Sequence, residues 1–124
     1  MKRLKIQPAQ PNKPVQELSG GNQQKVVLGR ALSRDRKVYI FDEPTAGIDV
    51  GARLDFYKQL QRLSAEGAAI LFISSDLQEL VHLSHRIYVM HEGRCTAELD
   101  ADQISEERVI AYAFGEKPKE DIQQ

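Results

Sequence analysis

Val38-Tyr39-Ile40-Phe41 is an unbroken apolar run of β-forming residues that stops abruptly at Asp42-Glu43. A run of this kind predicts a strand buried on both faces, as in a parallel sheet. A second apolar run, Ala68 to Ser74, predicts another buried strand. Between them, about Gly51 to Glu66 predicts a helix with Leu54, Tyr57, Leu60 and Leu63 on one side and Gly67 as its stop signal. Strand, helix, strand is an α/β order, and it implies parallel pairing of the two strands.

The flanks extend the pattern. Pro8, Pro11 and Pro14 make Gln7 to Gln16 a lead-in loop rather than a helix. After Gly20-Gly21, Val26, Val27, Ala31 and Leu32 recur at helical spacing and predict a helix from about Asn22 to Ser33. Downstream, Asp76 to Leu83 reads as a short helix. Arg86 to Met90 and Arg94 to Leu99 read as a hairpin turning at His91-Glu92-Gly93. A closing helix is expected over Ile104 to Phe114, with Glu106 and Glu107 near its positive end, then a polar, frayed tail over Lys117 to Gln124.

Composition excludes several functions. The net charge of −1 gives no general attraction to nucleic acid or anionic lipid. The longest purely apolar run, Ala68 to Ile73, is far short of the ~20 residues of a membrane-spanning helix. No signal peptide precedes the first polar stretch. Cys95 has no partner for an internal disulfide, which fits a reducing compartment.

Two places carry chemistry. Leu18-Ser19-Gly20-Gly21-Asn22-Gln23-Gln24 sets a hydroxyl and two glycines at a helix start. Free backbone N–H groups and the helix dipole favour an anion there, and glycine lets a phosphate approach closely. An ordinary N-capped helix after a flexible turn has the same local sequence. Asp42 and Glu43 project beyond the carboxyl end of the first strand, where α/β proteins place their ligands. Asp42 suits Mg²⁺ held through its water shell, and Glu43 suits polarisation of an attacking water. A solvated acidic strand end is the alternative.

The order of the segments separates these readings. LSGGNQQK, a helix, an apolar strand ending in DEPT, and then Ala46-Gly47-Ile48-Asp49 resembles the ATP-binding cassette (ABC) ATPases, with signature, Walker B and D-loop in sequence. The resemblance runs from about Val15 to Phe114. It implies an α/β fold, a partial ABC nucleotide-binding domain with a mostly parallel sheet, flanking helices and a C-terminal hairpin. Residues 1–17 would be a lead-in loop from the helical lobe, residues 18–115 the C-terminal part of the domain, and residues 116–124 a polar tail. It implies further that Ser19, Gly20, Gly21 and Gln23 contact ATP held by an opposing cassette. Asp42 would serve Mg²⁺ in the chain's own site, Glu43 would be the catalytic glutamate, and Asp49 would lie at the interface between cassettes.

Two departures from the family pattern stand out. The phosphate-binding G-x-x-x-x-G-K-[ST] is absent, so that cradle is expected upstream of Met1 or not at all. Ser75 occupies the position of the family's switch histidine. LSGGNQQK, DEPTAGIDVGAR, ISSDLQEL and RIYVMHEG together are similar to the second half of duplicated bacterial sugar-importer ATPases of the ribose, galactose and autoinducer-2 types, whose second cassette lacks that histidine.

The resemblance implies an ATPase subunit on the inner face of the cell membrane. Its partners would be a second cassette, transmembrane permease subunits and, indirectly, a solute-binding protein, with no nucleic acid. An ABC ATPase acting on ribosomes or DNA shares the core motifs, and a truncated, inactive remnant is a third class. For the chain alone, no ATP hydrolysis is expected. His82 and His85 read as surface histidines, Cys95 as a packing residue, and Tyr39 and Phe41 as core.

Overall fold

The computed structural model describes residues 6–118. Its elements are α1 (Gly20–Ala31), β1 (Val38–Asp42), α2 (Val50–Ala65), β2 (Ala69–Ile73), α3 (Leu77–Leu83), β3 (Arg86–His91), β4 (Arg94–Asp100) and α4 (Glu106–Ala113), with a 3-10 turn at Val15–Glu17. The chain divides between Ile73 and Ser74 into two compact units. The ends of the expected lead-in (residues 1–5) and tail (residues 119–124) lie outside the described residues.

In the first unit, β1 and β2 pair in parallel, with Val38 opposite Ala69 and Asp42 opposite Ile73. The helix between them is the crossover that parallel pairing requires. It begins at Asp49, whose side chain accepts a hydrogen bond from the Ala52 N–H. It ends where Gly67, at φ +91°, lets Ala68 N reach Leu63 O and Gly67 N reach Ser64 O, the paired bonds of a Schellman motif.

The core of this unit gathers Leu18, Leu28, Tyr39, Phe41, Ile48, Ala52, Phe56 and Leu60, with Ile6 of the lead-in among them. Phe56 is completely buried and meets Phe41 edge-on at 5.3 Å between ring centres. Two expectations are corrected here. The buried face of α2 runs through Ala52, Phe56 and Leu60, with Tyr57 and Leu63 packed against the core as expected, but Leu54 is 53% exposed. Likewise α1 buries Lys25 and Leu28 and packs Val26, Ala31 and Leu32 against the core, while Val27 alone of the expected residues faces out.

The strands also depart from expectation. β1 buries Tyr39 and Phe41 but exposes Val38 and Ile40, and β2 exposes Leu71 and Ile73. Core residues therefore cover one face of the pair rather than two.

In the second unit, β3 and β4 form an antiparallel hairpin with an irregularity between Val89 and Met90. Glu92 at φ +46° and Gly93 at φ +75° make the two-residue turn, the doubly left-handed geometry that suits hairpin twist. Ile87, Val89 and Leu99 pack with Val109 of α4, and Leu77, Leu80, Ala97, Ile104 and Tyr112 complete the cluster. Ser105 caps α4 by accepting from Arg108 N at 3.2 Å. Cys95 is exposed on β4, so it is not a packing residue; it shares strand parity with Ala97 and Leu99, but the register shift between Val89 and Met90 breaks the alternation before it.

Candidate functional site

Helix α1 starts two residues before the sequence pattern predicts, so both glycines lie inside its first turn and Ser19 is the N-cap. The first intrahelical bond runs from Gln23 N to Ser19 O at 2.8 Å, which leaves the N–H groups of Gly20, Gly21 and Asn22 ahead of the ladder. Ser19 Oγ accepts from Asn22 Nδ2 at 2.9 Å, and Asn22 Oδ1 accepts from Gln7 N at 3.0 Å, tying the lead-in to the helix. The Gln23 amide donates to Leu18 O at 2.9 Å and so holds its own turn.

The two glycines differ. A Cβ on Gly20 would meet nothing within 4 Å, whereas one on Gly21 would lie 2.6 Å from the carbonyl oxygen of Gly47. Gly21 is therefore required by the fold, because the loop after Glu43 passes directly over it. Gly20 answers to no neighbour among the described residues, and its missing side chain leaves open approach to the helix N-terminus.

That loop is built tightly. Glu43 N donates to Ile73 O at 2.9 Å, extending the sheet ladder one residue beyond Asp42. Glu43 then takes φ +44°, a left-handed conformation uncommon for a non-glycine residue. Ala46 N donates to Glu43 O at 3.3 Å and Ile48 N to Thr45 O at 3.1 Å, making two successive turns with Gly47 at φ +71°. Pro44 and Thr45 are buried, Asp42 is exposed and Glu43 is half-buried.

Two further bonds fasten this loop to α1. Gln24 Nε2 donates to Pro44 O at 3.0 Å, and Lys25 Nζ meets Asp49 Oδ2 at 2.5 Å. The Lys25 hydrogen bond, with that from Ala52 N, holds the Asp49 carboxyl below the usual aspartate range. The structure thus brings Ser19, Gly20, Gly21, Gln23, Asp42, Glu43 and Asp49 onto one unit, around one glycine contact and two side-chain bonds. Ser75 belongs to the second unit, exposed between Ser74, whose Oγ donates to Glu79 Oε2 at 2.6 Å, and Asp76, the cap of α3.

Sequence reasoning missed Gln24, Lys25 and Gly47. A signal was present for Lys25, which shares a helix face with Gly21 and Leu28 at spacings of four and three. A lysine on a core-facing stripe needs a carboxylate partner, but the sequence does not say which.

Comparison with known proteins adds to this geometry. The family described as ABC transporter matches residues 1–46. The chain is 50% identical over 102 residues to a ribose import ATP-binding protein of Rubrobacter xylanophilus, covering 82% of the chain and 20% of that protein. It is 52% identical over 101 residues to a putative ribose/galactose/methyl galactoside import ATP-binding protein of Burkholderia cenocepacia, again 82% of the chain and 20% of the relative. Its fold is similar to a solved ATP-binding cassette of an ABC transporter, with TM-score 0.64 and 30% identity, over 83% of this chain and 43% of that one. The chain thus spans about a fifth of the length of these curated relatives.

Proposed function

The chain belongs to the family of ABC transporter ATP-binding proteins, and on that premise we propose that it is the signature- and Walker B-bearing part of a cassette that energises import of a sugar or sugar-like solute. In the complete assembly it would pair with a second cassette, act on transmembrane permease subunits at the inner membrane face, and be served indirectly by a solute-binding protein. The similarity to ribose and galactose import proteins supports the solute class. No helix among the described residues is long and apolar enough to cross a membrane, so contact with the bilayer would run through those permease subunits.

The observation that carries this reading is the difference between Gly20 and Gly21. One glycine is explained by the fold, and the other lies open at the N-terminus of a 12-residue helix, where backbone N–H groups and the dipole favour a phosphate. Ser19 would add a hydroxyl donor. The phosphate would belong to ATP held by an opposing cassette, as the resemblance of this segment to the ABC signature implies.

The chain's own carboxylates fit the second half of the chemistry. Bound ATP and Mg²⁺ would supply the transferable phosphoryl group and its charge compensation. Asp42, exposed at the strand end, suits a cation that keeps most of its water. Among the described residues no group of three or more His, Cys, Asp or Glu gathers as a metal cage, so phosphate oxygens and water would complete the shell. Glu43 would orient and deprotonate the attacking water. Ser75 in place of a switch histidine offers a hydroxyl and no imidazole, so turnover at the chain's own site would be slow even in the assembly.

The test is ATP hydrolysis by the purified chain. No turnover alone is expected, and steady Glu43-dependent turnover by the monomer would refute the reading that its signature acts in trans.

A further inference from the structure

Lys25 stands four residues after Gly21 on the buried face of α1, with a side chain only 8% exposed. Its ammonium meets Asp49, whose own side chain is 63% exposed. A buried ammonium persists where an oxygen meets it, so the carboxylate is held to the lysine rather than the reverse. The other oxygen of Asp49 accepts from Ala52 N at 2.9 Å, so the same carboxylate closes the loop and opens α2. One residue earlier in α1, Gln24 holds the Pro44 carbonyl, beside Glu43. The helix that follows Ser19–Gly21 therefore grips the loop at both ends, with Gly21 against Gly47 between them.

We propose that Lys25 is a positioning residue: through Asp49 it makes the signature helix and the loop from Glu43 to Asp49 move as one piece, so that a load on Ser19–Gly21 is delivered to Glu43 in the same chain. The inference rests on the reading of Ser19–Gly21 as the phosphate-contacting face. It adds a route by which the site served in trans and the chain's own site share one rigid part. The spacing leaves little slack. The Gly47 carbonyl lies against the Gly21 backbone, so the loop has no room to move toward the helix, and the two side-chain bonds resist its moving away.

The test uses the isotopically labelled full chain and no nucleotide. Lys25→Met keeps most of the buried stem and removes the donor, and Lys25→Arg keeps the donor. Three quantities are read by NMR: the titration of the Asp49 carboxyl, amide exchange at Ala46 and Ile48, and the shift response of Glu43 to Asp49 when Ser19→Ala is introduced. Lys25→Met is expected to raise the Asp49 midpoint, to speed exchange at the two amides about tenfold through local opening, and to abolish the response of the loop to Ser19→Ala. Lys25→Arg is expected to restore all three, which a purely space-filling role would not require. Should Lys25→Met not fold, Asp49→Asn is read by the exchange and shift measurements instead. An unmoved Asp49 midpoint, or a loop that still answers Ser19→Ala without the ion pair, overturns the proposal. Because no nucleotide is present, that result leaves the reading of Ser19–Gly21 standing. Failure of that reading, seen with ATP, would leave this measurement valid.

Discussion

Gly20 and Gly21 are adjacent in one helical turn, yet alanine should act on them with opposite sign. At Gly20 a methyl group enters open space, and alanine gains about 0.5–1 kcal/mol over glycine in a helix, less in a first turn. At Gly21 the new Cβ would lie 2.6 Å from the Gly47 oxygen, where ordinary contact begins at 3.4 Å. The obstacle is backbone, fixed by turns at Glu43–Ala46 and Thr45–Ile48, so it cannot swing aside as a side chain would. Overpacking of this sort costs about 1–3 kcal/mol, which exceeds the propensity gain. The two variants should then differ by about 2 kcal/mol, or roughly 8 °C in melting temperature for a domain of this size. Parallel thermal and urea unfolding, followed by circular dichroism, measures the gap. Equal stability of the two variants would refute the argument that the fold explains one glycine and leaves the other to a ligand.

Other outcomes follow from the same contacts. Phe56→Ala should lose about 3–5 kcal/mol in urea unfolding, because a fully buried ring against Phe41 leaves a cavity. Leu54→Asn should change stability by no more than about 0.5 kcal/mol, in contrast to Leu60→Ala at about 2–5 kcal/mol; the reverse order would mean that α2 presents its other face. Ser105→Ala should cost about 1 kcal/mol through the lost cap of α4, seen as faster amide exchange at Arg108. Asp49 binds its proton more weakly folded than unfolded, so its contribution is complete above about pH 4 and is lost as the pH falls through the folded value. Asp49→Asn should remove that part of the acid sensitivity, measured as urea midpoints from about pH 5 to pH 3.

The existence and order of the elements were legible because apolar runs, glycine stops and turn residues each act locally. Val38 to Phe41, Gly67 and His91-Glu92-Gly93 fall where the sequence places them. Helix phase was legible in part: Tyr57, Leu60 and Leu63 of α2 and Val26, Ala31 and Leu32 of α1 pack on the core, while Leu54 and Val27 do not. The central place of Phe56 depends on its edge-on contact with Phe41 from a separate strand. An apolar run also reads the same whether one face or two will be covered, which is why the exposure of Val38 and Ile40 came from the structure. At the candidate site, residue types and order carried the family resemblance. The Lys25–Asp49 and Gln24–Pro44 bonds span 24 and 20 residues and depend on how the helix lies against the loop.

The central claim is that Ser19–Gly21 serves a phosphate held by another cassette. The most direct measurement is sedimentation of the chain mixed with a cassette that carries its own phosphate-binding loop, in Mg²⁺ with ATP or with ADP. The account expects association with ATP that is weaker with ADP and is lost in Gly20→Trp, whose side chain starts from a Cβ position in open space and adds bulk at the helix N-terminus. Association indifferent to nucleotide, or unaffected by Gly20→Trp, would contradict it.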